Sequence, residues 1–174
     1  MGPVVIAIDT EDQKRPIIGD LSAIPELSQT VASHVDRNAL DEIAIWLVDA
    51  EQSVFVAKRT AHDQQGVDYL VELAGLLQAG VVDNRSRVNF STEHNLFQER
   101  AVLSTIDVVV VLEVNGPVAS NIKMGAKVAT ISMADLYTKA NFQNFEEYYV
   151  PDLAVAVDAQ SSLPPISQKQ LSSV

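Results

Sequence analysis

The stretch Ile106–Leu112, IDVVVVL, carries the strongest strand signal in the chain and decides the fold class. Its valines are β-branched, which favours an extended backbone packed against neighbours. After Asp107 every residue is apolar, so both faces of the strand are apolar. Strands of this kind are typical of the centre of a parallel sheet that helices cover on both faces. The stretch therefore predicts an α/β fold.

Further apolar runs predict strands around this central one. They are Pro3–Ile8, Ser53–Ala57, a short strand that begins at Val81 and Val82, Lys127–Ile131 and Leu153–Val157. Helical stretches lie between most of them. This alternation predicts a three-layer α/β/α architecture with a doubly wound, mainly parallel sheet of five or six strands.

Two helices are predicted from the spacing of apolar residues. The first spans about Arg37 to Glu51, follows the capping residue Asp36, and has Leu40, Ile43, Ala44 and Leu47 on its inner face. The second is capped by Asp63 and ends at Gly80; its predicted inner face is Val67, Leu70, Val71, Ala74 and Leu77.

The remaining helical signals are weaker. Leu96–Ser104 predicts a short helix, and Ala134–Tyr149 is expected to be partly helical. The stretch from Ser161 to Gln170 begins like a helix. We expect it to trail off, because Pro164 and Pro165 lie inside it and proline removes a helical hydrogen bond.

Composition excludes several classes of function. The 174 residues carry 23 acidic and 12 basic side chains, a formal net charge of −11 that disfavours nucleic-acid and anionic-membrane partners. There is no cysteine, so disulfides, thiolate nucleophiles and cysteine zinc sites are absent, which fits a reducing, cytoplasmic location. The apolar runs are too short to span a bilayer. The three histidines, His34, His62 and His94, are not at metal-ligand spacing, so no metal site is predicted.

The common catalytic and nucleotide motifs are missing. The residues after the Ser53–Ala57 strand, KRTAHDQQG (Lys58–Gly66), contain one glycine and no G-x-G-x-x-G, so the fold is Rossmann-like without the dinucleotide fingerprint. No P-loop and no G-x-S-x-G nucleophile turn occurs. The sequence therefore predicts no catalytic residue in this chain.

Two polar loops follow predicted strands and are the candidate site. Ligands of doubly wound sheets lie at the carboxyl ends of strands, and the loops Asn84–Asn95 and Glu113–Asn121 leave such ends. Arg85 and Arg87 are positioned to hold an anion there, or alternatively to pair with the many carboxylates of the chain. The complete set of candidates for a nucleotide cleft is Arg85, Arg87, Asn89, His94, Glu113 and Asn115.

Four segments of the chain, taken together, resemble the central domain of thiamine-diphosphate-dependent enzymes of the acetolactate synthase type. They are GPVVIAID (Gly2–Asp9), VDYLVELAGLLQAGVVDNRSRVNF (Val67–Phe90), STIDVVVVLEV (Ser104–Val114) and the segment from KVATISM to VDAQSSLPPI (Lys127–Ile166). The first is similar to the last strand of the domain that precedes the central one. The resemblance covers nearly the whole chain.

The resemblance implies a division of the chain. Residues 1–35 would be the end of the preceding domain with an interdomain linker, residues 36–170 the central domain, and residues 171–174 a tail. In the family, other domains supply an activating glutamate and a G-D-G…N-N segment that holds Mg²⁺ and diphosphate. Here Gly19–Asp20 is followed by Leu21, and no G-D-G occurs. We therefore expect thiamine diphosphate and Mg²⁺ in a parent enzyme, and no cofactor in this chain.

The resemblance also bears on flavin and on function. In flavin-bearing relatives the loop that corresponds to residues 84–96 is rich in glycine and ends His-Pro-Leu; here it contains Arg85-Ser86-Arg87 and ends His94-Asn95-Leu96. The missing glycines argue against FAD. The implied function is an architectural domain of a homo-oligomeric parent acting on 2-keto acids, in contact with the parent's other domains. The alternatives are a regulatory domain that binds an ADP-like nucleotide and a free-standing small-molecule-binding module.

Overall fold

The computed structural model describes Lys14 and residues 37–84, 88–114, 122–133 and 151–172. Contacts divide the chain into two units, Met1–Val31 and Ala32–Val174, and the helices and strands given below lie in the second. Some predictions fall outside the described residues: the strand at Pro3–Ile8, the linker before residue 36, the helical stretch within Ala134–Tyr149, and the candidates Arg85, Arg87 and Asn115.

A five-stranded, fully parallel sheet forms the centre of the second unit. Its strands are β1 (Ser53–Ala57), β2 (Gly80–Asp83), β3 (Val108–Leu112), β4 (Lys127–Ile131) and β5 (Leu153–Val155), in the order β2-β1-β3-β4-β5. The predicted parallel α/β fold is confirmed. The last five residues of the IDVVVVL stretch form β3, which lies in the middle of the sheet with every strand residue buried.

Three α-helices within the described residues pack on one face of this sheet. They are α1 (Arg37–Asp49), α2 (Gln64–Leu77) and α3 (Ala159–Ser172), and α3 packs against both of the others. Buried residues from all three helices form one core cluster with Phe55 of β1 and with Val108, Val110 and Leu112 of β3. The opposite face of the sheet, with Val54, Val56, Val109 and Val111, packs against Leu103 of a short 3-10 helix, Arg100–Ser104, and against Ile106.

The end of α2 differs from the prediction, because Gly80 does not terminate the helix. The helix ends at Leu77, and Gln78 is its C-cap in the left-handed conformation, with φ of 51°. Gly80 is the first residue of β2. A glycine is required there by close approach, since a Cβ atom would lie 2.8 Å from Cγ of Gln98. The inner face of α2 also includes Gly66 and Leu73, which the spacing argument left out.

The last helix also corrects the prediction: α3 does not trail off at its prolines but continues through Pro164 and Pro165 to Ser172. Interior proline costs a helix roughly 3 kcal/mol. Leu163 and Ile166 are both fully buried in the core, and burial of such side chains is worth about 1.5–3 kcal/mol each. The two prolines together cost roughly 6 kcal/mol and the burial of Leu163 and Ile166 contributes about 3–6 kcal/mol, so tertiary burial is of the size needed to offset the unfavourable local propensity.

The predicted helix Leu96–Ser104 is only partly helical. Its first residues run beside β2 instead: the amide of Val81 donates to the carbonyl of Leu96 over 2.9 Å, and the amide of Gln98 donates to the carbonyl of Val81 over 2.8 Å. This parallel bridge between Val81 and Phe97 covers the outer edge of β2. Covering an edge strand in this way removes a site of unwanted pairing.

Candidate functional site

The strand order places the switch point of the sheet between β1 and β3. The chain runs outward from β1 to β2 and then crosses back to β3 on the other side of β1. Ligands in open α/β sheets bind outside the carboxyl ends of the strands at such a point. Ala57 and Leu112 end the two strands and are paired in the register, so Lys58 and Glu113 begin the loops that flank the candidate site.

Asn89 is fully buried, and its side chain connects the β2 loop to the β1 loop. Its Oδ1 accepts hydrogen bonds from the amides of Thr60 and Ala61, over 3.0 and 3.2 Å. Its Nδ2 donates to the carbonyl of Lys58 over 2.8 Å and to Oδ1 of Asp83 over 3.4 Å. With these four contacts the amide is committed to backbone and to Asp83, so Asn89 acts as a structural tie within the candidate cleft.

Asp83, the last residue of β2, holds the segment around Asn89 in place. Its Oδ2 accepts hydrogen bonds from the amides of Asn89, over 2.8 Å, and Phe90, over 3.2 Å. Thr60, which is fully buried, adds a bond from its hydroxyl to the carbonyl of Leu112 over 3.3 Å. The loops after β1 and β2 and the last residue of β3 are thus joined by buried and partly buried polar contacts. The sequence did not identify Thr60 or Asp83; the signal available was their position directly after or at the end of strands.

Glu113 directs its carboxylate toward β4 and α3. The carboxylate accepts hydrogen bonds from Oγ of Ser132 over 3.0 Å, from the amide of Met133 over 3.1 and 3.3 Å, and from the amide of Ala159 over 3.2 Å. The backbone of Glu113 is left-handed, with φ of 52°. For a residue with a Cβ that conformation costs about 1–2 kcal/mol.

The N-termini of α2 and α3 are joined by a polar clasp. Nε2 of His62 lies 2.6 Å from Oδ1 of Asp158, and the amide of His62 donates to Oε1 of Gln160 over 2.6 Å. Nε2 of Gln160 in turn donates to Oδ1 of Asp63 over 3.0 Å. The sequence identified Asp63 as a cap but not its partner Gln160, because 97 residues separate them in the chain.

A shallow depression lies beside this clasp. It has a volume of about 200 Å³ and is lined by Ala61, His62, Asp63, Gln64, Val67 and Val88. Small-molecule sites typically occupy roughly 300–1,000 Å³ and bury most of the ligand. The side chain of His62 is 56% exposed, so the depression encloses its ring poorly.

His94 lies near the outer edge of β2. Its Nδ1 accepts a hydrogen bond from the amide of Leu96 over 3.1 Å, and its ring packs edge to face on Phe90 with centroids 4.7 Å apart. Acceptance at Nδ1 means that the neutral ring carries its proton on Nε2. The structure therefore does not bring the three described candidates together: Asn89 bonds to the loop after β1, Glu113 bonds toward β4 and α3, and His94 supports the segment that covers the edge of β2.

The described part of the site does not fit a diphosphate group. Amides at helix N-termini commonly bind phosphate. Here, one amide in the first turn of α2 and two in the first turn of α3 donate to the chain's own carboxylates: Gly66 to Asp63, Ser161 to Asp158, and Ala159 to Glu113. Within the described ranges there is also no cluster of three or more residues suited to a metal ion. No helix in that part of the chain is long and apolar enough to cross a membrane.

Comparison with known proteins gives similarity at the level of structure. No family model matches the sequence, and no curated protein matches it. The chain is similar to benzoylformate decarboxylase from Polynucleobacter necessarius, with a TM-score of 0.63 and 18% identity, over 84% of this chain and 30% of that one. It is also similar to a protein assigned as a thiamin diphosphate-dependent enzyme, from Mycobacterium smegmatis, with a TM-score of 0.60 and 18% identity, over 82% of this chain and 29% of that one.

These values define what is shared. At 18% identity the similarity is one of fold. The chain spans less than a third of the length of either enzyme. The protein therefore has the parallel α/β fold of one portion of two larger proteins. One of them is a benzoylformate decarboxylase, and the other is described as a thiamin diphosphate-dependent enzyme.

Proposed function

We propose that the chain is the central domain of a thiamine-diphosphate-dependent, acetolactate synthase-like enzyme, with an architectural role. The observation that carries this proposal is the fold match over 84% of this chain and only 30% of benzoylformate decarboxylase, as expected for one domain of a larger enzyme. In this proposal residues 36–170 are the domain, residues 1–35 lead into it from a preceding domain, and residues 171–174 are a tail.

The order of the segments that resemble the family supports this assignment. Val67–Phe90 contains most of α2 and all of β2, Ser104–Val114 contains β3, and Lys127–Ile166 contains β4, β5 and the start of α3. Each segment alone is a common apolar pattern. Their agreement in order with a fold that two thiamin-related structures share is a stronger argument than any single segment.

The contacts at the carboxyl edge support a role without catalysis. Asn89 and Glu113 are committed to backbone groups of the chain itself, and the clasp between His62 and Asp158 fixes the starts of two helices. A rigid edge of this kind suits a domain that holds its neighbours at fixed positions. Thiamine diphosphate and Mg²⁺ would be bound by other domains of the parent, where the cofactor supplies the stabilisation of a carbanion.

For the parent we propose a cytoplasmic homo-oligomer acting on 2-keto acids. The substrate class follows from the acetolactate synthase-like resemblance, and it agrees with the name of one structural neighbour, since benzoylformate is itself a 2-keto acid. The acidic composition, with a net charge of −11, supports partners other than nucleic acid.

Two measurements test the proposal. The pure 174-residue chain, supplied with Mg²⁺ and thiamine diphosphate, is expected to bind no cofactor by calorimetry and to decarboxylate neither pyruvate nor benzoylformate. Decarboxylation by this chain would overturn the architectural role.

The second measurement concerns the natural polypeptide. An antibody against the chain detects the natural polypeptide in extracts of the cells that produce it, and the size of the detected band gives its length. Because 84% of this chain corresponds to 30% of the decarboxylase (0.84/0.30 ≈ 2.8), we expect a polypeptide nearly three times as long as these 174 residues. A polypeptide of about 174 residues alone would favour the free-standing module instead.

A further inference from the structure

Glu113 is the one described non-glycine residue that combines a left-handed backbone with a position at the switch point of the sheet. It is one of two described non-glycine residues with positive φ, and the other, Gln78, is a helix C-cap, where that conformation is common. Glu113 lies instead at the switch point, directly after the central strand. A strained backbone persists only where surrounding contacts hold it. The side chain of Glu113 makes several such contacts.

The side chain binds donors from two other parts of the fold. Ser132 and Met133 follow β4, and Ala159 is the first residue of α3. Their hydroxyl and two amides converge on the single carboxylate of Glu113, within 3.0 to 3.3 Å. Hydrogen bonds to an ionised acceptor are roughly twice as strong as neutral ones, and they oppose the backbone strain.

The donors are held in place by contacts that do not involve Glu113. The amide of Ser132 donates to the carbonyl of Val155 over 3.1 Å. The start of α3 is fixed by Gln160, whose side chain accepts from the amide of His62 over 2.6 Å. Asp158 caps the same helix by accepting from the amide of Ser161 over 2.9 Å. The donor set should therefore keep its arrangement when the Glu113 carboxylate is absent.

We propose that Glu113 is an intramolecular lock: its carboxylate occupies a preformed receptor for a small carboxylate and keeps outside anions from reaching it. The strained backbone favours release of the side chain, and the three donors favour its retention. The device is thus an autoinhibitory contact at the switch point. It rests on the geometry of this edge and goes beyond the proposed architectural function, which stands or falls separately.

The test removes the Glu113 carboxylate by mutation and supplies a small carboxylate from solution in its place. Glu113→Gly removes the side chain and also removes the strain, because glycine accepts positive φ freely. Propionate has the carboxylate and the two carbons that the substitution deletes. We expect propionate to raise the melting temperature of Glu113→Gly by several degrees, in a saturable way, and to leave the wild-type chain unchanged. Sodium chloride at the same ionic strength should not reproduce the effect, and phosphate should act more weakly because it is larger than the carboxylate that these donors bind.

Two variants serve as controls. Glu51→Gly removes an exposed carboxylate from the turn after α1 and should show no response to propionate. Adding Ser132→Ala to Glu113→Gly deletes one donor and should weaken the response. Equal responses of the wild-type chain, Glu51→Gly and Glu113→Gly, or no response of a folded Glu113→Gly, would overturn the lock.

A second variant covers the case in which Glu113→Gly does not fold. Glu113→Gln keeps the side chain but carries no charge, so the amide resonances of Met133 and Ala159 should both move relative to the wild-type chain in nuclear magnetic resonance spectra. Glu51→Gln, a change at an exposed carboxylate, should leave both resonances in place. Resonances of Met133 and Ala159 that stay in place in Glu113→Gln would refute the proposed contact.

Discussion

Nδ2 of Asn89 donates to the carbonyl of Lys58 over 2.8 Å, across a separation of 31 residues in the chain. This contact joins the loop after β2 to the loop after β1, next to the switch point. Asn89, Thr60 and Ala61 are all buried, so the side-chain amide of Asn89 and the two backbone amides that donate to it lie away from bulk water. A buried polar group that loses its partner costs about 1–3 kcal/mol.

We therefore expect Asn89→Ala to be strongly destabilising. It leaves the amides of Thr60 and Ala61 and the carbonyl of Lys58 without their partner, so the loss should be about 2–4 kcal/mol in the free energy of unfolding, measured by urea titration. The exposed Asn95→Ala is the matched control and should change the stability by less than about 0.5 kcal/mol. Equal effects of the two changes would show that the tie does not stabilise the fold.

The substitution of glycine by alanine is predicted to change the stability in opposite directions at the two glycines of α2, Gly66 and Gly75. At Gly66 an added Cβ would lie 2.7 Å from Cδ of Gln160 and 3.0 Å from Cα of Ala61. Gln160 cannot yield freely, because it bonds both His62 and Asp63. At Gly75 no neighbouring atom lies within 4 Å.

Gly75→Ala should therefore stabilise the protein by about 0.5–1 kcal/mol, which is the difference in helix propensity. Gly66→Ala should destabilise it by about 1–3 kcal/mol in spite of the same propensity gain. Melting curves of both variants give the comparison. Stabilisation by both changes would mean that the clasp between α2 and α3 yields easily.

The ion pair at the amino edge of the sheet predicts a pH effect of known sign. Nζ of Lys123 lies 2.5 Å from Oδ1 of Asp107, and this bond lowers the pKa of the Asp107 carboxyl below its ordinary value. A depressed folded-state pKa means that the contribution to stability is present above the unfolded-state pKa and is lost as pH falls through the folded-state pKa. The pair is partly exposed, so its effect is small and weakened by salt.

Lys123→Met should raise the pKa of Asp107, which carbon-13 titration of the side-chain carboxyl measures directly. Stability near neutral pH should fall slightly, and the difference from the wild-type chain should vanish in strong acid. A pKa of Asp107 that is the same in both proteins would contradict the assigned cause.

Nucleotide addition separates the architectural function from the nucleotide-binding alternative. A ligand at about 100 times its dissociation constant stabilises a protein by roughly 2.7 kcal/mol, which raises the melting temperature by several degrees. We expect no shift with FAD and little with ADP. The double change Arg85→Ala with Arg87→Ala should then have little effect on the melting temperature, with or without ADP. A clear ADP shift that this double change abolishes would favour the regulatory alternative.

The candidate site shows where prediction from sequence ends. Asn89 and Glu113 were identified because they follow strands, and the structure places both at the carboxyl edge of the sheet. Their partners were not identifiable, since Ala159 lies 46 residues from Glu113 and Thr60 lies 29 residues from Asn89. Whether the six candidates form a nucleotide cleft stays a prediction.

The sequence by itself determined the α/β class, the existence of each described strand and the inner face of α1. These follow from local periodicity and β-branching, which act over a few residues. Only the tertiary structure decided the strand order, the continuation of α3 through Pro164 and Pro165, and the start of β2 at Gly80. These features depend on contacts between residues far apart in the chain, and no short stretch of sequence records which distant residues those are. At Pro164 and Pro165 such burial offsets the local cost of proline.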